Sequence, residues 1–290
     1  MKKSPLIIKL VLLLIYVVRI ESCLENDAQL FHGTKAKPGQ FPYVVSLQKI
    51  GNKESICGGA LLAPKLVMTA SHCLSSGVDW RSMIAVAGIV NAVNWDVGYQ
   101  TSKIVEVLKS HPFPNPGRSN DLAILLMRSE FHETEYINFQ SYGMPRPSLG
   151  AEVLILGWSA LDEGNKAISN LHWAKARLDK FSACGCDHLD GNAFSCVRGN
   201  RTLTSGSQFC DSGSPGLYRG LIFGVSSKVK NESALGSFFT KLRPQNDWIE
   251  RTLEYYTLPP RLRSRATCTG KSFVLIIIGM DMGLTSSILR

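Results

Sequence analysis

The sequence has 290 residues, eight cysteines and a formal net charge of +9. Most of that charge lies at the two ends. Residues 1–22 contain four Lys or Arg against one Glu, and residues 257–290 contain five against one Asp. The segment between them carries about +2, and this near-neutral body gives no electrostatic reason to expect nucleic-acid binding.

The first 22 residues have the pattern of a secretory signal peptide. Lys2 and Lys3 precede an apolar run over residues 6–18, and Ser22 supplies a small residue for cleavage. The run is too short for a membrane span. A signal anchor stays open as the alternative, because Lys9 and Arg19 are atypical of a signal peptide. The cysteine content suits an oxidising compartment, so a secreted, extracellular protein is expected.

Short apolar segments separated by turn-forming residues follow between positions 41 and 242. They are rich in Val, Ile and Leu and lie at residues 43–47, 83–86, 122–126, 153–156 and 221–225. Many short strands with frequent turns indicate an all-β protein built as a barrel or sandwich. A helix is predicted at residues 246–255, capped by Asn246 or Asp247, with Trp248, Ile249 and Leu253 on one face.

Three short motifs occur in a fixed order along this body. His72 follows an apolar strand in Thr-Ala-Ser-His-Cys, Asp121 opens another strand, and Ser212 lies in Cys-Asp-Ser-Gly-Ser-Pro at residues 210–215. A serine hydroxyl becomes a nucleophile beside a general base and oxyanion donors. Together the motifs resemble the trypsin/chymotrypsin family of serine peptidases, in which the catalytic residues follow the order His, Asp, Ser.

The resemblance covers most of the chain. Gly33 to Gln48 resembles the family's mature N-terminal segment, and residues 56–61 resemble the strand before the histidine loop. Gly157-Trp158 and Thr240-Lys241 resemble further family segments. The fold implied is two packed six-stranded antiparallel β-barrels with a C-terminal helix. Four segments are therefore expected: a signal peptide at 1–22, a propeptide-like segment at 23–29, the peptidase domain at 30–254, and a basic and apolar tail of little order at 255–290.

The resemblance implies a role for each motif residue. Ser212 would attack a peptide carbonyl, His72 would accept its proton, and Asp121 would orient the imidazole. The backbone N–H groups of Cys210 and Ser212 would form the oxyanion hole. The substrate implied is a protein or peptide, with no metal and no cofactor.

Activation in this family implies a new N-terminus at Leu30 that pairs with Asp211. Gln29 precedes Leu30, and no Lys or Arg lies between Cys23 and Gln29, so a trypsin-like activator has no site there. A buried Asp211 without its cation would be costly.

The oxyanion loop and the specificity pocket also depart from the family pattern. Cys210 and Ser214 stand where the family usually has glycine, and a Cβ at Cys210 opposes the tight turn. The pocket is assigned to four residues: Gly206, Ser226, Ser227 and Lys228. Gly206 at its floor removes the acid needed for Arg or Lys specificity. Lys228 either enters the pocket or stays solvated as an ordinary loop lysine.

The resemblance also implies two disulfides, Cys57–Cys73 and Cys184–Cys196. No partner is assigned to Cys23, Cys186, Cys210 or Cys268.

Two functions remain open. The first is a secreted serine endopeptidase that does not cleave after Arg or Lys. The alternative is a catalytically impaired homologue that binds a protein partner. The apolar run at residues 273–278 is too short to span a bilayer, and no membrane contact by the tail is expected.

Overall fold

A computed structural model describes residues 33–51, 53, 55–74, 79–109, 120–143, 145–158, 160–161, 167–184, 191–199, 212–227 and 237–258. The predicted signal peptide, the segment at 23–29 and most of the tail lie outside these residues. Within the described parts, no helix has both the length and the apolar character needed to cross a bilayer.

The described residues form fifteen strands and one α-helix. In chain order these are β1 (Thr34–Lys35), β2 (Val44–Lys49), β3 (Ser55–Ala63), β4 (Leu66–Thr69), β5 (Met83–Ala87), β6 (Gln100–Lys109), β7 (Ala123–Met127), β8 (Glu152–Gly157), β9 (Ala160–Leu161), β10 (Ala167–Ile168), β11 (His172–Asp179), β12 (Phe194–Gly199), β13 (Pro215–Tyr218), β14 (Leu221–Ser227), β15 (Ser237–Lys241) and α1 (Asn246–Thr257). Each of the five apolar segments that were predicted to be strands overlaps one of these strands.

The first barrel closes in the order β2-β3-β4-β7-β6-β5. All its pairings are antiparallel. Inward-facing side chains such as Leu47, Val67, Met83 and Ile124 are fully buried and fill the interior. Because a closed barrel leaves no free strand edge, the loops at its rim are free to carry functional groups.

The second barrel is a seven-stranded sheet, in the order β1-β11-β12-β15-β14-β13-β8, that closes on itself. β8 pairs along its length with β11, and Leu154 of β8 also pairs with Leu217 of β13. These contacts join six strands into a ring, with β1 attached outside to β11. The predicted two-barrel architecture is confirmed.

Backbone hydrogen bonds hold the barrels together beside β11. Leu171 N donates to Val90 O at 2.7 Å, and Ala92 N donates to Ser169 O at 2.7 Å. The indole Nε1 of Trp158 also donates to Val90 O, at 3.0 Å. The 88–92 segment of the first barrel is therefore bound to the segment leading into β11.

Helix α1 extends from the second barrel to the first. It is preceded by a 3₁₀ turn at Arg243–Gln245, so its N-cap is Gln245 rather than the predicted Asn246 or Asp247, and no side chain caps it. Ile249 is fully buried. At the other end, the Tyr256 hydroxyl donates to a Glu106 carboxylate oxygen in β6 at 3.0 Å. The helix continues to Thr257, three residues past the predicted domain boundary at 254.

We predict that Ile249→Ala destabilises the protein by about 3 kcal/mol, because it leaves a cavity where α1 packs on the core. The measurement is urea unfolding of the folded domain. Glu254→Ala, at an exposed position of the same helix, is the control and should change stability by less than about 0.5 kcal/mol. Equal effects of the two substitutions would show that α1 does not pack as described.

Candidate active site

His72 lies in a short 3₁₀ turn, Ser71–Leu74, directly after strand β4. The next residue, Cys73, forms a disulfide with Cys57 of β3, with their Cα atoms 6.2 Å apart. This crosslink closes a short loop and ties the histidine turn to the barrel wall, a constraint worth roughly 3 kcal/mol in the chain-entropy account. The imidazole is mostly buried, with 16% of its side chain exposed.

Asp121 sits at the entrance of β7 with its side chain 2% exposed. Its Oδ2 lies 2.7 Å from His72 Nδ1, and its Oδ1 accepts the His72 backbone N–H at 2.8 Å. Two contacts to one residue fix both the position of the turn and the orientation of the ring. A carboxylate on Nδ1 favours the tautomer that leaves Nε2 able to accept a proton.

The second barrel completes the surroundings of Asp121. Ser227, at the end of β14, donates its hydroxyl to Asp121 Oδ2 at 2.5 Å. Thr240 of β15 donates its hydroxyl to the Asp121 backbone oxygen at 3.2 Å. The neighbouring residue Asn120, in a left-handed conformation with φ of 67°, accepts from the Gln245 side chain. Asp121 is therefore bound by both barrels.

These contacts determine the direction in which the Asp121 pKa is shifted. Burial raises the pKa of the carboxyl, but the hydrogen bond and charge of His72, the Ser227 hydroxyl and the His72 backbone N–H together lower it below its ordinary value of 3.8. The group is therefore ionised at neutral pH, and it offers a negative charge to a protonated His72.

Ser212, the predicted nucleophile, is half-buried and begins the described part of its loop, which is called the nucleophile loop below. Its backbone oxygen accepts the Gly58 N–H of β3 at 2.8 Å. The next residue, Gly213, donates its N–H to Ser226 O of β14 at 2.8 Å. The loop is therefore held between a strand of the first barrel and a strand of the second.

Glycines permit this close approach. Gly213 has φ of 87°, and a Cβ on it would lie 2.3 Å from Thr69 Oγ1 and 2.4 Å from Gly58 O. A Cβ on Gly58 would lie 2.0 Å from the Ser214 hydroxyl oxygen. Ser214 is fully buried, and its hydroxyl has no hydrogen-bond partner among the described residues. Side chains at either glycine would separate the nucleophile loop from the histidine loop.

Asp121 contacts both His72 and Ser227, and Ser212 is hydrogen-bonded to the strand that carries Cys57. Ser226, predicted to belong to the specificity pocket, is buried, and its N–H donates to Ser214 O at 2.9 Å. Five predicted site residues lie outside the described residues, namely Leu30, Gly206, Cys210, Asp211 and Lys228, and so does Cys186. Cys23 and Cys268 also lie outside them.

One further group of side chains has the composition of a metal site. The ligand atoms of Cys57, His72 and Cys73 lie within 4.8 Å of one another, but both sulfurs are bonded in the disulfide and offer no thiolate to a metal. The second described disulfide joins Cys184 to Cys196 and fixes the 3₁₀ turn Phe181–Cys184 to β12.

A family model described as Trypsin matches residues 30–249. The chain belongs to the trypsin family of serine proteases. Proteins of this family act on protein or peptide substrates as hydrolases.

Curated relatives agree with this assignment. Mast cell protease 2 of Ovis aries is 28% identical over 249 residues, covering 82% of this chain and 96% of the relative. Trypsin beta of Drosophila erecta is 30% identical over 210 residues, covering 69% of this chain and 78% of the relative. Granzyme C of Mus musculus is 26% identical over 238 residues, covering 78% of this chain and 92% of the relative.

Solved structures share the fold. A mutant of human heparin binding protein matches with a TM-score of 0.66 and 25% identity, covering 80% of this chain and 100% of that chain. Mouse neuropsin, described as a serine protease, matches with a TM-score of 0.65 and 18% identity, covering 77% and 100%.

We predict that Gly58→Ala destabilises the protein by about 1–3 kcal/mol through the clash with Ser214. In the double variant Gly58→Ala/Ser214→Gly, most of this loss should be recovered, because the oxygen and Cβ that the new methyl meets are gone. Urea unfolding of the two single variants and the double variant measures the coupling. Additive losses would contradict the close contact.

We predict that the stability contributed by ionised Asp121 decreases at acidic pH. Because the folded-state pKa lies below the unfolded value of 3.8, this stability is present above that value and is lost as the pH falls through the folded-state pKa. The difference in unfolding free energy between the wild type and Asp121→Asn should therefore shrink as the pH falls below about 4. A difference that stays constant down to about pH 2.5 would contradict the lowered pKa.

Proposed function

We propose that this protein is a secreted serine endopeptidase in which Ser212 is the nucleophile, His72 the general base and Asp121 the residue that orients and stabilises His72. Secretion rests on the signal-peptide pattern of residues 1–22. The proposed endopeptidase does not prefer Arg or Lys, because Gly206 provides no acid at the pocket floor.

The proposed reaction has two stages. Ser212 Oγ attacks the carbonyl carbon of the peptide bond while its proton passes to His72 Nε2, and the imidazolium then gives that proton to the leaving amine. A water molecule, activated by the same imidazole, hydrolyses the acyl-enzyme and regenerates the Ser212 hydroxyl. Asp121 stays ionised throughout and stabilises the charged ring.

The observation that carries this proposal is the double contact between Asp121 and His72. A carboxylate 2.7 Å from Nδ1 and a second oxygen on the His72 backbone N–H form the base–orienter pair that acyl transfer requires. Ser227 adds a hydrogen bond that lowers the pKa of the same carboxyl and keeps it ionised. The Gly58 N–H that holds Ser212 O comes from the residue after Cys57, whose disulfide holds the histidine turn.

The oxyanion hole in this proposal consists of the N–H groups of Cys210 and Ser212. The Cys210 side chain opposes the turn that glycine allows, and losing one donor costs on the order of 3–4 kcal/mol of transition-state stabilisation. The proposed enzyme is accordingly slow. Lys228, the residue after Ser227, is the residue proposed to give a preference for acidic substrate side chains.

Activation is proposed to follow cleavage between Gln29 and Leu30. The new Leu30 ammonium would pair with Asp211, which precedes the nucleophile, and order the loop. The cleaving protease must accept Gln on the amino side of the cut.

A second candidate function is a non-catalytic homologue that binds a protein partner in the cleft. The observation that favours it is that Cys210 and Ser214 stand where the family usually has glycine. The buried hydroxyl of Ser214 has no hydrogen-bond partner among the described residues. A loop no longer selected for catalysis tolerates such changes.

A labelling experiment tests the first proposal. The secreted protein is cleaved deliberately at Gln29–Leu30 and treated with a fluorophosphonate probe, which reacts with an activated serine. We predict labelling of Ser212 in the cleaved protein and none in Ser212→Ala. His72→Ala should lower the labelling rate by about a thousandfold or more, because the base is gone.

The controls separate the two candidates. Each variant is compared with the wild type by circular dichroism and thermal unfolding, which shows whether a variant that is not labelled is still folded. Absence of labelling in folded, cleaved wild type would overturn the enzyme proposal and favour the binding protein.

A further inference from the structure

A cavity lies beside the second barrel, and its lining includes none of His72, Asp121 or Ser212. It has a volume of about 320 Å³, within the range of small-molecule sites. Its walls come from the segment between Gly143 and Leu149, from the end of β11, from the turn Phe181–Cys184, and from β12 and β15. Backbone hydrogen bonds from Gly150 N to Leu178 O and from Leu178 N to Ala151 O hold the first wall to the second.

The inner surface of this cavity is largely apolar. Phe194 and Phe223 are buried, and Leu178 and Phe181 are partly buried where they line it. Phe181 packs edge-on against Phe238, with ring centroids 5.5 Å apart, which fixes this wall. A fixed apolar wall of this kind favours a hydrocarbon group over a strongly hydrated one.

Positive charge surrounds the same cavity. Arg146 and Arg243 are exposed, and neither guanidinium has an acidic partner within the described residues. The Lys241 ammonium donates a hydrogen bond to Gly191 O at 2.7 Å, which fixes its charge at the cavity wall.

The acidic residue in the lining does not cancel this charge. Asp179 Oδ2 accepts from Arg198 at 3.0 Å, and its Oδ1 accepts the Lys180 backbone N–H at 2.7 Å. Both carboxylate oxygens are therefore engaged by groups other than the three lining cations. The cavity combines an apolar interior with an excess of hydrogen-bond-donating cations.

We propose that this cavity is a binding site for a carboxylate carried on a short apolar chain. Arg146 and Arg243 bind the carboxylate, and Phe181, Leu178 and the neighbouring rings bind the chain. Arginine suits this role because its planar group donates two parallel hydrogen bonds to one carboxylate. Two sources present this chemistry: a free fatty acid and the C-terminal residue of a peptide that ends in an apolar side chain.

Calorimetric titration of the full secreted chain tests the site. The probes are octanoate, octanol and acetate, together with the dipeptide N-acetyl-Ala-Leu as its free acid and as its amide. We expect one saturable site for octanoate, with octanol and acetate at least about tenfold weaker, because each lacks one half of the recognised group. Tighter binding of octanoate than of the peptide acid identifies a free acid as the ligand, and the reverse order identifies a peptide C-terminus.

Variants locate the binding. Arg146→Gln/Arg243→Gln should weaken octanoate binding about tenfold. The control Lys103→Gln/Arg128→Gln removes the same charge from exposed positions of the first barrel and should leave the affinity unchanged. Leu149→Asp, at a lining residue that is 61% exposed, places a carboxylate in the cavity and should abolish binding without unfolding the protein.

The proposal is overturned by any of three results. These are no binding of octanoate or the peptide acid to folded protein, equal binding of octanol and octanoate, and unchanged affinity in both Arg146→Gln/Arg243→Gln and Leu149→Asp. Thermal unfolding of each variant confirms that the protein titrated is folded.

Discussion

A carboxylate buried at the junction of two barrels needs hydrogen-bond donors, and here both barrels supply them. Asp121 is 2% exposed, and burying such a charge without partners costs several kcal/mol. The first barrel provides the backbone and ring N–H groups of His72, and the second provides the hydroxyl of Ser227. The hydrogen bond from Thr240 to the Asp121 backbone oxygen holds the same point. One set of contacts therefore fixes both the relative placement of the barrels and the orientation of the imidazole.

The second constraint is the distance between the nucleophile loop and the histidine loop. Gly213 carries a left-handed φ and lies against Gly58 O and Thr69, while Gly58 lies against Ser214. Backbone can approach this closely only where no Cβ intervenes. The disulfide Cys57–Cys73 fixes the histidine turn to the strand that Ser212 contacts. The loops are thus positioned by close backbone packing, and a side chain in place of a glycine at this contact acts on the site directly.

The sequence predicted the fold well, because strand periodicity, turn residues and the order of motifs are local signals. It did not predict the hydrogen bond from Ser227 to Asp121. That contact joins residues 106 positions apart in the sequence, so no local pattern contains it. The predicted start of α1 at residue 246 agrees with the structure, but its N-cap was missed, since the 3₁₀ turn at Arg243–Gln245 places Gln245 there. Its side chain donates to Asn120, a long-range contact that no local capping rule contains. The cavity beside Phe181 likewise arises from segments distant in sequence.

The most direct test of the central contact is an NMR measurement of the His72 ring proton. In protein labelled with ¹⁵N-histidine, the account predicts a solvent-protected Nδ1–H resonance for His72, assigned by its absence in His72→Gln. That resonance should disappear or exchange rapidly in Asp121→Asn and shift in Ser227→Ala, because both substitutions change the carboxylate that accepts it. A His72 Nδ1–H signal that is absent in folded wild type, or unaffected by Asp121→Asn, would contradict the account.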